Sequence, residues 1–374
     1  MLIKNVKLIN FRNYGSLELI LDPKINVFVG DNAQGKTNII EAIYMSGTGK
    51  SFRSNKDREL IKFDKDKGYV KVEAEKKHDN VVVELKLEED KKKQIKVNGV
   101  VLSKNSDILG SIYVVIFSPE DLKLVKEGPA ERRKFIDTEI SNIKPKYYYH
   151  LHQYHRVIMQ RNHLLKKIQM DKKFMSTLEV WDEKMIDLGT RLIMDRNVFI
   201  KRMSTLSRLI HRKITDNQEN FEVKYVSNIP LAEEYEGIYN NFKIKLKKAL
   251  EVDIMRGMTT VGPHRDDLDF FVNGIDIKTY GSQGQQRTSA LSLKLAEIEL
   301  VKAETAEYPI LLLDDVMSEL DIHRQQFLIK SLRDIQTFIT TTELKALEAW
   351  NVHKKSIFYV EKANISRAEE EKNV

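Results

Sequence analysis

The sequence predicts a mixed α/β fold that is split by a long helical insertion. Three observations lead to this prediction. The apolar run Asn26–Val29 is followed by a glycine-containing turn and then by helical spacing, the order of a strand, a loop and a helix. A second apolar strand, Ile310–Leu313, ends in the acidic pair Asp314 and Asp315. Between these two segments, residues 129–255 show mainly helical periodicity.

Strands and turns dominate the first third of the chain. Apolar residues alternate at the N-terminus and again before residue 22, and period-two patterns recur in 68–102, which predicts a small antiparallel sheet. A helix is expected to end near Gly47 or Gly49, since glycine is the usual C-terminal stop. The predicted elements are strands at Ile3–Ile9, Leu17–Leu21, Asn26–Val29 and Ile112–Phe117, and a helix at Asn38–Met45.

The middle of the chain is helical and its last third returns to alternating strands and helices. The predicted helices are Ala130–Ile140, Lys146–Gln169, Phe174–Asn217, Asn241–Arg256, Ser282–Thr305 and Leu328–Leu332. The predicted strands are Phe221–Val226, Asp269–Val272, Ile310–Leu313 and Thr337–Ile339, with a turn at Asn273-Gly274 and a charged tail from Arg367 onward.

Composition narrows the class of protein. The 374 residues exceed the usual size of one domain, and 41% hydrophobic residues exclude a disordered chain. Lys and Arg exceed Asp and Glu by 62 to 55, a net charge of +7 that suits an anionic partner such as nucleic acid and equally suits plain solubility. The absence of cysteine excludes disulfides, thiol nucleophiles and Cys-based zinc sites. With no run of about 18 apolar residues and no signal-peptide pattern, we expect a cytoplasmic protein without membrane contact.

The segment Gly30–Thr37 matches the phosphate-binding loop G-x-x-x-x-G-K-[ST] and stands between a buried strand and a helix, as that motif must. Its backbone N–H groups and the start of the helix can face a phosphate. Lys36 can neutralise the β- and γ-phosphates, and Thr37 can offer a hydroxyl to Mg²⁺. The predicted nucleotide-binding residues are Gly30, Asn32, Ala33, Gln34, Gly35, Lys36, Thr37 and Asn38.

Two acidic residues complete this site in the prediction. Ligands of α/β sheets gather at the carboxyl ends of the strands, where Asp314 and Asp315 stand. Asp314 is expected to hold Mg²⁺, directly or through water. Asp315 falls where a general base could take a proton from the attacking water. Because Lys36 and Asp314 must serve one phosphate, both ends of the chain are expected in one domain, 1–122 with 257–374, and 123–256 in an inserted helical arm domain.

The turn Ser282-Gln283-Gly284-Gln285 permits two interpretations. Ser282 and Gln285 fit an S-x-x-Q capping box, which needs no function. The same residues at a helix start also form a second phosphate cradle, with N–H donors and a hydroxyl facing outward. A chain with one phosphate loop and a second cradle can close its site by lending that cradle to another copy. We therefore expect a homodimer.

Several segments resemble a known family. The phosphate loop, the Ser282–Gln285 signature, Asp314-Asp315 and residues 318–321 resemble the ABC-type ATPase heads of the SMC/Rad50/RecF group. Longer segments are similar to the RecF family of bacterial DNA replication and repair proteins, and the similarity runs from about Leu8 to Thr342. These longer segments are Asn10–Tyr14, Gly30–Asn38, Phe117–Leu122, Gly128–Asp137, Thr260–Asp267 and Gly281–Thr288.

The resemblance implies an ATP- and Mg²⁺-dependent protein that binds double-stranded and gapped DNA without sequence preference. It implies dimerisation around two nucleotides, weak DNA-stimulated ATP hydrolysis, and work with RecR, and indirectly RecO and RecA, at single-strand gaps on the nucleoid. In this family pattern Lys36 and Asp315 are catalytic, and Ser282–Gln285 reaches the γ-phosphate of the opposite protomer. The remaining roles fall to Arg12 at the nucleotide, Asp321 at the dimer seam and Thr342 as the switch residue.

The sequence departs from the wider ABC pattern in three ways. Asp315 replaces the usual glutamate, Thr340–Thr342 occupies the place of the switch histidine, and no glutamine stands clearly at the lid near 118–121. These departures favour slow turnover. Other interpretations stay open: a scaffold that uses ATP only to join two heads, a small-molecule kinase or, less favoured, a transporter subunit. The segment His264–Asp267 could brace the junction of the arm with the head or sense the nucleotide.

Overall fold

The computed structural model describes residues 1–332, 334–342 and 355–368, with a side chain at every one of them except Leu122. The chain forms two compact units: 1–121 together with the described residues from 297 onward, and 122–296. The division falls one residue before the predicted start of the arm at 123. At its other end the second unit extends past the predicted boundary at 256, to Ala296.

One sheet of the first unit is antiparallel and has six strands, in the order β2-β1-β4-β5-β6-β7. β4 and β5 bury alternate residues, because successive side chains point to opposite faces and only one face meets the core, and β1 departs from this alternation where its register shifts between Ile3 and Asn5. The sheet predicted from 68–102 is therefore confirmed and is larger than expected, since β1 pairs with β4. The strands are β1 (Leu2–Phe11), β2 (Tyr14–Ile20), β4 (Lys67–Glu75), β5 (Asn80–Glu88), β6 (Gln94–Val97) and β7 (Val100–Val101).

The second sheet of this unit is mainly parallel, in the order β15-β14-β3-β13-β12-β8. β3, β12 and β13 are buried at every position, as parallel strands covered on both faces are. Since β3 and β12 both pair in parallel with β13, the segments that follow them leave the sheet at the same edge. The strands are β3 (Ile25–Val29), β8 (Val114–Phe117), β12 (Ile310–Asp314), β13 (Thr337–Thr341), β14 (Lys355–Glu361) and β15 (Asn364–Arg367).

Helix α1 (Lys36–Thr48) joins the two sheets of the first unit in one apolar core. Ile39, Ile40 and Ile43 are buried with residues from both sheets. The helix ends where Gly49 adopts a left-handed conformation, with φ 68°, so the predicted glycine stop is confirmed. Helix α9 (Ile322–Ser331) connects β12 to β13 and begins six residues earlier than the sequence pattern predicts.

The hairpin of β14 and β15 is absent from the sequence prediction, which has a charged tail starting at Arg367. Arg367 instead ends β15, so that part of the prediction is wrong. The run Ser356–Val360 is short, and its partner β3 lies more than 300 residues earlier in the chain, so no local signal announces it. The rest of the predicted tail, 369–374, lies outside the described residues.

Long helices dominate the second unit, and the long helical patterns of the sequence are confirmed. α5 spans 40 residues and packs against α4, α6 and β9. The helices are α2 (Leu122–Lys126), α3 (Pro129–Ile143), α4 (Pro145–Met170), α5 (Met175–Ile214), α6 (Tyr235–Arg256), α7 (Ile277–Tyr280) and α8 (Gln283–Thr305), whose last turns belong to the first unit. Across the described residues, none of these helices has the length and apolar character needed to span a membrane.

A three-stranded sheet, in the order β11-β10-β9, explains why the second unit continues past residue 256. β9 (Phe221–Val226) precedes the predicted boundary at 256, and its antiparallel partner β10 (Asp267–Val272) follows it. The short β11 (Ile275–Asp276) returns from the predicted Asn273-Gly274 turn, where both residues have positive φ. A helical arm that ended at 256 would leave β9 without its partner.

Buried ion pairs hold the segment 264–267 in the second unit. Arg196, 1% exposed, donates to Asp266 Oδ2 at 2.9 Å and to Asp137 Oδ1 at 2.8 Å. Arg132 makes two bonds to Asp267, at 2.6 and 2.9 Å. Such pairs fix the geometry of the elements they join, because removal of either partner leaves a buried charge. These contacts favour a brace within this unit as the role of this segment.

Candidate functional site

The phosphate loop lies between β3 and α1 and depends on backbone conformations and close approaches that most residues with a Cβ avoid. Gly35 has φ 120°, and a Cβ there would stand 2.7 Å from the Asn13 side chain. A Cβ on Gly30 would stand 2.2 Å from the carbonyl oxygen of Val360. Ala33 is left-handed, with φ 64°. The two motif glycines are therefore required by sterics before any ligand binds.

Two neighbouring turns hold the loop in place. From the β1–β2 turn, Asn13 Nδ2 donates to Gln34 O at 3.0 Å and the Tyr14 hydroxyl donates to Gly35 O at 3.2 Å. Burial raises the pKa of Tyr14, so its hydroxyl keeps its proton. From the β14–β15 turn, the N–H of Lys362 donates to Gln34 Oε1 at 2.6 Å, and the N–H of Ala363 donates to Gln34 O at 3.1 Å. The carbonyls of the loop are thus bound from outside.

Lys36, the first residue of α1, turns its ammonium group back onto the loop. Nζ donates to the carbonyl oxygens of Gly30 at 2.5 Å and Asp31 at 2.7 Å. Burial lowers the pKa of Lys36, while the carboxylate of Asp315 opposes that shift. An anionic phosphate would supply the compensating charge that the two carbonyl dipoles provide only in part.

Asp314 is the point at which the two ends of the chain meet. Its Oδ1 accepts a bond from Thr37 Oγ1 at 2.9 Å and another from Thr340 Oγ1 at 2.8 Å. Thr37 comes from α1 and Thr340 from β13, where it pairs in register with Asp314. The structure thus brings together the loop threonine and the strand-end carboxylate that the sequence assigns to one metal site.

Asp315 leaves the sheet edge in a left-handed conformation, with φ 54°. Aspartate tolerates this conformation better than most residues with a Cβ. Its N–H donates to Thr340 Oγ1 at 3.0 Å, and its side chain is exposed. Partial desolvation and the neighbouring Asp314 raise the pKa of Asp315, and Lys36 acts against them. A raised pKa makes this carboxylate a stronger base than an ordinary aspartate.

Arg12 lies at the turn between β1 and β2 and is engaged with α1. It binds the buried carboxylate of Glu41 with two bonds, from Nε at 2.7 Å and Nη2 at 2.6 Å. Nη1 donates to the carbonyl of Glu59 at 2.7 Å. These contacts give Arg12 a structural role, and its contact with a nucleotide stays a prediction. Asn38, in the first turn of α1, bonds to Asn13, at 2.8 Å, and to Arg53, at 2.9 Å.

The Ser282 turn belongs to the second unit, and the capping box predicted there is confirmed. The N–H of Ser282 donates to Gln285 Oε1 at 3.0 Å, and the N–H of Gln285 donates to Ser282 Oγ at 3.2 Å. Ser282 and Gln283 are exposed at the N-terminus of α8, and Gly284 follows them in the first turn of that helix. The hydroxyl of Ser282 accepts in this box, so its hydrogen can be donated outward.

The two remaining predicted residues lie on segments beside the parallel sheet. Asp321 is the N-cap of α9, and its side chain accepts from the N–H of Arg324 at 3.0 Å. Thr342 is exposed one residue beyond β13. Sequence reasoning placed Thr340 in the run at the position of the switch histidine and Asn13 in a family segment. It did not foresee that Thr340 contacts both acids or that Asn13 binds the loop. The sequence feature that could have identified Thr340 is its position in β13, the strand that lies between β3 and β12.

This arrangement defines the class of protein. An ABC-type ATPase head is built from a phosphate loop, a Thr–Asp pair suited to a metal at the carboxyl edge of a parallel sheet, a flanking antiparallel sheet and a separate serine signature turn. The same fold is found in the head of Smc from Pyrococcus furiosus, at a TM-score of 0.55 and 16% identity, with 98% of this chain and 96% of that chain covered.

The comparisons then give the family. A family model described as the RecF/RecN/SMC N-terminal domain matches residues 2–366. The DNA replication and repair protein RecF of Alkaliphilus oremlandii is 52% identical over 98% of this chain and all of its own. A solved structure of the recombination mediator protein RecF with ATP, in the RecFOR pathway, superposes with a TM-score of 0.92 at 38% identity and covers 98% of both chains. The chain therefore belongs to the RecF family within the RecF/RecN/SMC group.

Proposed function

We propose that this protein is an ATP-dependent DNA-binding ATPase of recombinational repair that dimerises around two ATP molecules. The observation that carries the proposal is the bonding of Thr37 and Asp314 beside a pre-shaped phosphate loop. The RecF structure with bound ATP supports the choice of nucleotide. The membership in a family of DNA replication and repair proteins supports the choice of process.

Nucleotide binding rests on groups that the loop already presents. The N–H groups of 31–36 and the start of α1 are suited to the β- and γ-phosphates. Lys36 exchanges its bonds to Gly30 and Asp31 for bonds to phosphate oxygens. Thr37 and Asp314 offer the hard oxygen ligands that Mg²⁺ prefers, and they hold it directly or through water. When bound, the ion neutralises phosphate charge.

Hydrolysis in this proposal depends on Asp315. Its carboxylate takes a proton from the water that attacks the γ-phosphate, and its raised pKa strengthens it as a base. Lys36 stabilises the negative charge that grows on the phosphate oxygens. An aspartate side chain is one methylene shorter than glutamate, and the left-handed backbone fixes where it starts. Both features favour slow turnover, so that the ATP-bound dimer persists as a timer.

The dimer forms because each phosphate loop needs a second cradle. We propose that Ser282, Gln283, Gly284 and Gln285 reach the γ-phosphate held by the opposite protomer, with the Ser282 hydroxyl as donor. Asp321 and Thr342 line the seam between the two copies, and Thr342 acts as the switch. Arg12 touches the nucleotide with the N–H groups that Glu41 and Glu59 leave unused.

DNA binding in this proposal is electrostatic. The net charge of +7 and the exposed lysines of α4 and α6 suit contacts with phosphates, which carry no sequence information and weaken with salt. We propose that double-stranded and gapped DNA are bound and that DNA stimulates ATP hydrolysis. RecR is the direct partner, with RecO and RecA acting downstream at single-strand gaps, which places the protein on the nucleoid in the cytoplasm. The RecFOR pathway of the solved relative supports the choice of RecO and RecR.

A mixing experiment tests the composite site. Lys36→Met disables the phosphate loop and Ser282→Arg blocks the signature turn, so each variant alone is inactive. In an equal mixture, half of the dimers are mixed and each has one intact composite site, so about a quarter of the wild-type ATPase activity should return. Light scattering with ATP, ADP and no nucleotide measures the dimer in parallel. A mixture no more active than its components, or a protein that stays monomeric with ATP, contradicts the proposal.

A second experiment separates an ATPase from a scaffold that uses ATP only for dimerisation. Asp315→Asn keeps the shape of the residue and removes the base. We expect turnover to fall by at least two orders of magnitude, with dimers trapped in ATP. Unchanged slow turnover would favour the scaffold.

A further inference from the structure

A chain of hydrogen bonds in the second unit connects the Ser282 turn to the end of α5. Gln285 Nε2 donates to Glu219 Oε1 at 2.9 Å. The other carboxylate oxygen, Oε2, is 2.9 Å from His211 Nε2, and His211 Nδ1 is 3.2 Å from the hydroxyl of Ser292. His211 and Ser292 have no exposed surface. Gln285 belongs to the signature turn of the proposed site, whereas Glu219, His211 and Ser292 have no part in the proposed hydrolysis.

Glu219 fixes which end of the Gln285 amide faces Ser282. A carboxylate can only accept hydrogen bonds, so it selects the NH₂ end of the amide. The carbonyl end is then left for the N–H of Ser282, which it accepts at 3.0 Å. With the amide reversed, an NH₂ group would meet an N–H group and the capping box would open. The hydroxyl of Ser282 would then be held only by the N–H of Gln285, and the backbone of Ser282 would no longer be fixed by the Gln285 side chain.

His211 in turn fixes Glu219. Because Glu219 only accepts, His211 carries a hydrogen on Nε2 whether the ring is neutral or cationic. Ser292 adapts to either state. Its hydroxyl donates to Thr288 O, at 2.7 Å, and accepts from Nδ1 when the ring is cationic, or it donates to Nδ1 when the ring is neutral. The ring also stacks on Phe221, with centroids 5.1 Å apart, so it has little freedom to rotate.

The loop that carries Glu219 is itself ordered by local bonds. It spans 215–220, between α5 and β9. Asp216 and Asn217 take left-handed conformations, with φ 49° and 62°, and the N–H of Glu219 donates to Thr215 Oγ1 at 3.3 Å. Asn220 is bonded to Asn273 in both directions, at 2.8 and 3.0 Å. The carboxylate is therefore presented by a backbone that is held on both sides.

We propose that Glu219, oriented by His211, is a positioning residue for the signature turn. It keeps the Ser282 hydroxyl aimed outward at the N-terminus of α8. This inference rests on the proposed function, since it assigns to Glu219 a part in the site that Ser282 completes for the opposite protomer. A change at Glu219 is expected to weaken ATP-dependent dimerisation while each chain binds nucleotide as before.

The test compares Glu219→Leu with two other variants. Glu219→Gln keeps an acceptor for Gln285, and His211 can meet its amide with an unprotonated Nε2, so this variant is the conservative rescue. Glu233→Leu removes an exposed carboxylate from the same unit, just before α6, and is the matched control. Nucleotide affinity is measured with a fluorescent, non-hydrolysable ATP analogue, and dimerisation by sedimentation with the same analogue.

We expect Glu219→Leu to raise the dimer dissociation constant at least tenfold with nucleotide affinity within twofold of wild type. Glu219→Gln should stay within threefold for both, and Glu233→Leu should match wild type. If Glu219→Leu dimerises as wild type does, the inference is wrong and the proposed function stands. If wild type itself does not dimerise, the proposed function fails and the inference fails with it.

Hydrogen exchange of the nucleotide-free chain gives a readout that needs no dimer. The amides of Ser282 and Gln285 are the two closed by the capping box. In Glu219→Leu both should exchange on the order of tenfold faster, with the rest of α8 unchanged. Uniformly faster exchange throughout the second unit would indicate a purely structural role and would overturn the inference, as would unchanged exchange at these two amides.

Discussion

The Arg12–Glu41 pair gives the sharpest prediction about the first unit. Glu41 has no exposed surface and Arg12 is 17% exposed, and two bonds of 2.6 and 2.7 Å join them. In Arg12→Ala the carboxylate stays buried. It keeps the hydroxyl of Ser51, at 2.5 Å, while Arg53 stands 3.9 Å away. One neutral donor cannot replace a guanidinium group that binds both oxygens.

The loss of stability in Arg12→Ala can be worked out from the uncompensated charge on Glu41. Removal of one partner of a buried ion pair costs about 3–5 kcal/mol, because the remaining charge is left without compensation. Arg53 can move toward Glu41, so we expect the lower part of that range, about 3 kcal/mol. Glu41→Gln should cost less, about 1–2 kcal/mol, since Arg12 can reach water. In the double variant no buried charge is left, and the coupling energy should be about 2 kcal/mol.

Urea unfolding of the four proteins measures this cycle, with the ATP analogue bound and absent. Additive losses, or an Arg12→Ala variant within 1 kcal/mol of wild type, would refute the argument from burial. Nucleotide affinity separates the two roles of Arg12. If it also contacts the nucleotide, the double variant recovers stability and still binds the analogue more weakly than Glu41→Gln does. Equal affinity in those two variants leaves Arg12 with the structural role alone.

Three further predictions test the site and the second unit. The raised pKa of Asp315 means that the acid limb of the ATPase rate should lie above the pH expected for an ordinary aspartate near 3.8, and a limb at or below that value contradicts the assignment. Burial lowers the pKa of His264 to about 4 from 6.5, so as the pH falls the unfolded chain takes up a proton before the folded chain does. The free energy of unfolding should therefore fall by at most about 3 kcal/mol between pH 6.5 and pH 4. Thermal unfolding at stepped pH measures this dependence, which should be smaller in His264→Gln. Gly30→Ala places a Cβ 2.2 Å from Val360 O, so calorimetry should detect a loss of about 1–3 kcal/mol and weaker nucleotide binding. Gly128→Ala is the control and should lose less than about 1 kcal/mol, because Gly128 has open space around it and a φ of −77° that alanine adopts readily.

The parts of the site that the sequence predicts are those in which local pattern and chemistry coincide. The phosphate loop needs glycines at fixed places in the chain, and the capping box of Ser282 and Gln285 needs two residue types three positions apart. Asp314 follows an aliphatic strand, so its place at a sheet edge is also a local signal. In each case the backbone geometry that matters is set within about ten residues.

The contacts that escape sequence reasoning join segments far apart in the chain. The turn at Lys362 and Ala363 binds Gln34 across more than 300 residues, and both turn residues have positive φ without being glycine. Turn patterns normally signal such backbone with glycine or asparagine, so this turn carries no signal. Separation along the chain also hides the contact of Glu219, because its partner Gln285 lies 66 residues away.

Thr340 shows why spacing alone cannot assign the roles of a threonine run. Its single hydroxyl hydrogen is donated to Asp314 Oδ1, and its oxygen accepts the N–H of Asp315, so one side chain holds the carboxylate of one acid and the backbone of the next. A valine of the same shape would remove both bonds together. The two acids are therefore coupled through this hydroxyl, and a movement of β13 would act on the predicted metal ligand and on the predicted base at once. Thr342 is exposed one residue beyond the strand, and its role as the switch stays a prediction.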